Sequence, residues 1–157
     1  MQADPGMVED RLASQASSLA IASLVEQLGR QVQNLCFTKD LAPVQWAALR
    51  YLAKAGPAAR TVSGLAAYSG VNVSSASRTI QALQGKQLVD VVSNAKDGRV
   101  RQLVLTEAGS RLLGRDPLQA LSAAVDAALA TEERTALRDL LEKVLFELCP
   151  KPFRNEG

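Results

Sequence analysis

The 157 residues carry 18 Lys and Arg against 16 Asp and Glu, a net charge of only +2, and 47% of them are hydrophobic. A chain of this length can bury a core without disulfide or metal staples, and it is most simply one domain or one domain with helical extensions. It has no histidine, which removes the commonest general base and metal ligand, so zinc sites and histidine-dependent triads are excluded and no cofactor or metal is expected.

No apolar run approaches the roughly 18 residues of a membrane span. The start MQADPGMVED lacks the basic and apolar regions of a signal peptide. A soluble cytoplasmic protein without membrane contact is the expectation. The two cysteines, Cys36 and Cys149, are far apart and lie in apolar helical contexts, where cysteine usually serves as a small buried hydrophobe in a reducing compartment. Charge is unevenly spread. Residues 60–101 hold Arg60, Arg78, Lys86, Lys96, Arg99 and Arg101 against Asp90 and Asp97, a surplus of four that leaves the rest of the chain at −2. A basic segment on a nearly neutral chain points to a local anionic partner such as nucleic acid.

In chain order, Val8 to Cys36 places Leu12, Ala16 and Leu19, then Leu24, Leu28, Val32 and Leu35, at three- and four-residue steps, which predicts an amphipathic helix. TKDLAP breaks it. Pro43 then suits the first turn of a second helix carrying Val44, Ala47, Ala48, Tyr51 and Leu52 until AGP at 55–57. Thr61 or Ser63 can cap a brief third helix. After the turn-like Ser69, Gly70 and Val71, Asn72 is the N-cap candidate for a fourth, with Val73, Ala76, Ile80 and Leu83 along one side. Its other positions hold Ser74, Ser75, Ser77, Arg78, Thr79 and Gln81, a polar, small and cationic face that can enter a groove.

LVDVVS, 88–93, pairs across NAKDGR with the alternating VRQLVL, 100–105, as a β-hairpin. Thr106 is a cap candidate for a helical stretch through Leu112, Leu113, Leu118, Leu121 and Val125, with Pro117 as its kink or break. TEER at 131–134 starts a last helix through Leu137, Leu140, Leu141, Val144, Leu145 and Leu148. The fold class is therefore mainly α with a small β-hairpin wing: a winged helix-turn-helix flanked by helical extensions.

From Val8 to Leu148 this order resembles the MarR family of bacterial transcription regulators. LAAYSGVNVSSASRTIQALQGKQLV is similar to the family's recognition unit, with Ser74, Ser75, Ser77 and Arg78 at its small-polar and arginine positions. Asp97, Arg99, Leu105, Thr106 and Gly109 fit the wing pattern of Asp, any residue, Arg, then Leu-Thr and a later Gly, and this is the more specific match. One departure is Gln87, which stands where the family usually has glycine, so the end of the fourth helix is expected to be shorter or differently capped.

The resemblance implies an N-terminal dimerisation helix in 1–37, a DNA-binding winged helix-turn-helix in 38–106 and C-terminal dimerisation helices in 107–157. It implies a homodimer on double-stranded DNA, with two reading heads on half-sites roughly 34–36 Å apart along a pseudopalindrome. The fourth helix would read the major groove through short hydroxyls, Arg78 and Gln81. Arg99, oriented by Asp97 and allowed by Gly98, would enter the minor groove, whose negative potential favours a guanidinium. Lys96 and Arg101 would touch phosphates. No nucleophile, base and oxyanion constellation is present, so the chain is not expected to be an enzyme.

In the family small amphipathic molecules, often aromatic acids, bind between the dimerisation helices and the DNA-binding lobe. A coupling of about 1–3 kcal/mol is enough for a switch. Phe37, Trp46 and Tyr51, with Arg50 as a carboxylate partner, are the effector candidates on that resemblance. Two alternatives stand beside it: a redox-sensing regulator using Cys36, and a winged-helix protein-interaction module that does not bind DNA. For Cys36 the basic residue nearest in sequence is Lys39, and only Cys149 of the partner subunit offers a second thiol.

Overall fold

The computed structural model describes residues 17–93 and 101–148, and the described chain is seven α-helices and one hairpin. The helices are α1 Ser18–Cys36, α2 Pro43–Lys54, α3 Val62–Ser69, α4 Val73–Gly85, α5 Glu107–Leu113, α6 Leu118–Ala128 and α7 Thr131–Leu148, with a single 3₁₀ turn, Pro57–Ala59, between α2 and α3. The hairpin pairs β1 Val89–Ser93 with β2 Arg101–Leu105.

Local side chains start most of these elements. Ser17 Oγ accepts the Ala20 amide at 3.2 Å, Thr61 Oγ1 the Gly64 amide at 3.0 Å, Asn72 Oδ1 the Ser75 amide at 2.8 Å and Thr106 Oγ1 the Gly109 amide at 3.0 Å. Each satisfies one of the amides that a helix start leaves unpaired. Of the two residues expected to cap α3, Thr61 does so. α1 is described from its Ser17 cap onward, and the expected first turns from Val8 to residue 16 lie outside the described residues. The helical stretch after the wing is broken rather than kinked: α5 ends at Leu113, and Pro117 sits just before α6, where a residue without an amide hydrogen costs nothing. At α7, Thr131 is the first helical residue, and Glu133 reaches back to accept the Ala130 amide at 2.8 Å.

The hairpin is antiparallel with Val89 opposite Leu105, Val91 opposite Leu103 and Ser93 opposite Arg101. Leu103 donates its amide to the Arg60 carbonyl at 2.7 Å, which ties the returning strand to the segment before α3. The wing base is thus fixed on both sides although the sheet has only two strands.

The core lies under the hairpin and among α2, α3 and α4. Leu41, Trp46, Leu49, Leu52, Leu65, Ala76, Ile80, Leu83, Val89 and Leu103 are buried there. α2 is its centre, touching α1, α3, α4, α5 and β2. The flanking helices are different: α1 buries only Cys36, with Val32 packed half-buried against the core, and α6 and α7 have no buried residue. Leu19, Leu24 and Leu28 of α1 and Leu140, Val144 and Phe146 of α7 are exposed. No helix of the described residues is long and apolar enough to cross a membrane.

Candidate nucleic-acid interface

α3, the turn at Gly70 and α4 make the helix-turn-helix. Gly70 ends α3 with φ of +64°, a left-handed conformation that glycine adopts without a Cβ penalty. Val71 donates its amide to the Ala66 carbonyl at 3.1 Å, and Asn72 starts α4 immediately. The turn is therefore short and internally bonded, which fixes the angle at which α4 is presented.

At 100° per residue, the buried Ala76, Ile80 and Leu83 define the inward face of α4. The opposite face holds Ser74, Arg78 and Gln81, all exposed, together with Ala82 and Gly85. Sequence reasoning missed the last two, although helical spacing puts them in line with Arg78 and their small size keeps that face low. Ser77 flanks it, half-buried. Ser75 and Thr79 turn away from it: Thr79 Oγ1 donates to the Ser75 carbonyl at 3.1 Å, and both line a cleft of about 290 Å³ with Gln33, Val44, Leu65 and Tyr68. The six polar positions of α4 thus divide into an outward set and a cleft set.

Arg78 lies along its own helix, with Nε 3.4 Å from the Ser74 carbonyl, and none of the described carboxylates is in ion-pair range of it. Its charge is available to an external anion. At the other end of α4, Gln87 has φ of +57°, and it is the one non-glycine residue among those described with positive φ. Leu88 donates to the Leu83 carbonyl at 3.0 Å and Gln87 to the Gln84 carbonyl at 2.8 Å, the paired bonds of a Schellman cap. Substitution of the expected glycine has therefore not changed the cap; glutamine adopts the left-handed conformation in its place. Lys86, beside it, donates its ammonium to the Asp40 carbonyl.

Arg101 opens β2 opposite Ser93 and is exposed. Lys96, Asp97, Gly98 and Arg99, the expected wing tip, lie outside the described residues.

The four residues expected at the effector joint are not brought together. Trp46 is buried in the core, with Nε1 donating to Thr38 Oγ1 at 3.2 Å. Tyr51, five residues on and so on another side of α2, donates its hydroxyl to the Ala59 carbonyl at 2.5 Å, and its ring lies 4.9 Å from that of Tyr68. Burial and the neighbouring Tyr68 push its phenol up from the ordinary value. Phe37 is 75% exposed at the end of α1. Arg50 already has a carboxylate: Nε is 2.6 Å from Asp116 Oδ2 and Nη2 is 2.8 Å from Oδ1. The hydrogen bond to Asp116 outweighs burial and, with the contact to Cys36, raises the guanidinium's pKa further. Cys36 is 2% exposed and accepts from Arg50 Nη2 at 3.2 Å. Its basic neighbour is Arg50, 14 residues away in sequence, and not Lys39.

Residues 39–100 match the MarR family. No curated protein matches the chain in sequence. Among solved structures, the probable transcriptional regulator of Pseudomonas aeruginosa superposes with a TM-score of 0.63 at 23% identity, over 79% of this chain and 96% of its own. The MepR–DNA complex of S. aureus gives 0.67 at 18%, over 84% and 96%. The PcaV transcriptional regulator of Streptomyces coelicolor, in complex with its natural ligand, gives 0.62 at 22%, over 83% and 92%. The matched segment begins before α2 and runs through the helix-turn-helix into the wing, so sequence and geometry identify the same unit. Residues 39–100 are similar to the MarR family, and the chain that carries them has the winged helix-turn-helix fold of the transcriptional regulators on which it superposes.

Proposed function

We propose that the protein is a homodimeric repressor that binds a pseudopalindromic operator, one α4 in each of two successive major grooves and one wing beside each. The observation that carries this is the outward face of α4, where Ser74, Gln81, Ala82 and Gly85 surround an Arg78 with no carboxylate partner among the described residues. Small residues let the helix backbone approach base edges, and an unpaired guanidinium supplies the reach to a guanine edge or a phosphate. In the wing, Arg99 enters the minor groove with Asp97 orienting it, while Lys96 and Arg101 take phosphates. MepR, which shares the fold, has been solved on DNA.

The apolar residues left exposed on α1 and α7 support the homodimer, because an unburied apolar face on helices from both ends of the chain is a surface that a second copy can cover. An effector of small, amphipathic character fits the cleft behind α4 better than it fits the joint. Val44, Leu65 and Tyr68 supply apolar wall, Gln33, Ser75 and Thr79 supply polar groups, and no charged side chain among the described residues lines it. Occupancy there acts on α4 directly. The reading is tested by selecting bound sequences from a pool of genomic fragments; recovery of a two-fold sequence supports it, and recovery of no sequence above background rejects it.

A further inference from the structure

The chain passes between the flanking helices and the winged lobe at two places: Phe37–Ala42, between α1 and α2, and Gly114–Pro117, between α5 and α6. One guanidinium reaches both. Arg50, on α2 inside the lobe, holds Asp116 of the second crossing by two hydrogen bonds and the Sγ of Cys36, the last residue of α1, by a third. The first crossing is also closed on itself, by Thr38 Oγ1 donating to the Leu41 carbonyl at 3.1 Å and receiving the Trp46 indole. The second is bonded locally to α5, the Arg115 and Asp116 amides donating to the Leu112 and Leu113 carbonyls at 2.9 and 3.2 Å, and Gln119 Nε2 donates to the Gly114 carbonyl at 3.3 Å. Its tie to α2 comes from Asp116, whose Oδ1 also accepts the Leu118 amide at 2.9 Å where α6 begins.

The pair is built for position. Its side chains are 19% and 13% exposed, and the planar fork of arginine against a carboxylate fixes direction as well as distance. A lysine or a single hydrogen bond would leave the angle between α2 and α6 free to vary. No other ion pair among the described residues links α2 to the α5–α6 turn; Lys54, also on α2, acts on Asp116 through its charge alone.

We infer that Arg50 and Asp116 are positioning residues for operator recognition: together they set the angle of each reading head to the dimerisation helices, and through it the half-site spacing the dimer accepts. The inference rests on the homodimeric DNA-binding reading above. One added base pair moves a half-site by about 3.4 Å and rotates it by roughly 35°. A head held by a two-point clasp cannot follow that displacement, whereas a head on an unclasped crossing can.

The test uses the full chain and a duplex library in which the selected half-sites are separated by the natural spacer or by one or two base pairs more or fewer. The unaltered dimer favours one spacing over its neighbours by at least about tenfold. Asp116→Asn keeps an oxygen for the Leu118 amide and so keeps the start of α6, but it removes the charge; Arg50→Ala removes the fork. Both are expected to sediment as dimers and to bind the natural site, with the spacing preference flattened to about twofold. Arg50→Lys, which keeps the charge and one hydrogen bond, falls between. A merely structural loss lowers binding to all spacings equally and leaves the ratio unchanged. An unchanged ratio in Asp116→Asn, with its helical content intact by circular dichroism, overturns the inference while leaving the DNA-binding reading in place. Failure of the unaltered chain to bind any member of the library overturns both.

Discussion

Gly109 lies directly against the carbonyl of Leu88: a methyl group on its Cα would overlap that oxygen and press on a Leu105 methyl. The same carbonyl accepts the Thr106 amide at 3.2 Å, and Thr106 Oγ1 donates to Gln87 at 2.8 Å. The end of α4, the base of β1 and the start of α5 therefore meet at one point. Gly109→Ala is expected to destabilise the chain by about 1–3 kcal/mol, as overpacking at a closed contact does. Urea unfolding followed by circular dichroism measures it, and a change below about 0.5 kcal/mol would show that the contact yields.

Gln87 gives the opposite sign. Its left-handed conformation costs a residue with a Cβ about 1 kcal/mol, and glycine removes that cost while adding unfolded-state entropy. Gln87→Gly is expected to raise stability by a few tenths to about 1 kcal/mol without altering the wing. A fall in unfolding midpoint would contradict the Schellman cap.

Much of this was legible in the sequence because it depends on residues a few positions apart. Caps at Asn72 and Thr106 act over three residues, so a side chain and its spacing suffice to place them. The hairpin is legible for the same reason, its alternation matching the observed partners of β1 and β2. Where partners are remote the sequence gives no signal. Arg50 and Asp116 are 66 positions apart, and nothing local says that Arg50 is already occupied by a carboxylate. The aromatic group Phe37, Trp46 and Tyr51 is close in sequence yet scattered in space, because five residues along α2 turn a side chain to another face. In α4, helical spacing could have separated Ser75 and Thr79 from the outward set, but only the cleft shows what they face.

Acid should weaken the clasp. Burial pushes the Asp116 carboxyl up, but the hydrogen bonds from Arg50 and the Leu118 amide, and the charges of Arg50 and Lys54, outweigh it and hold the group below the usual carboxylate range. A depressed folded-state value means that the unfolded chain takes up the proton first as pH falls. The stabilisation is thus fully present above the unfolded value of about 3.9 and is lost as pH falls through the folded one. Unfolding free energy in urea should decline below about pH 5, and the decline should be shallower in Asp116→Asn. Equal slopes would show that the pair contributes nothing to the acid response.

Leu140 and Val144 are 58% and 52% exposed on α7, so charge there leaves the winged core untouched. Leu140→Glu with Val144→Glu is expected to yield a folded monomer in sedimentation and to lose most operator affinity, since each half-site alone supplies only part of the contact. A stable dimer from this double variant would place the interface elsewhere.

DNA reading by α4 and the wing is tested most directly by a mobility-shift titration of the selected operator with the unaltered chain and with Arg78→Ala, Arg99→Ala in one chain, each at two salt concentrations. Affinity of the unaltered chain should fall steeply as salt rises, with a log–log slope of about −0.9 for each phosphate neutralised. The double variant should remain dimeric, bind at least about tenfold more weakly and show a shallower slope. Salt-independent binding, or a double variant that matches the unaltered chain, would contradict the account.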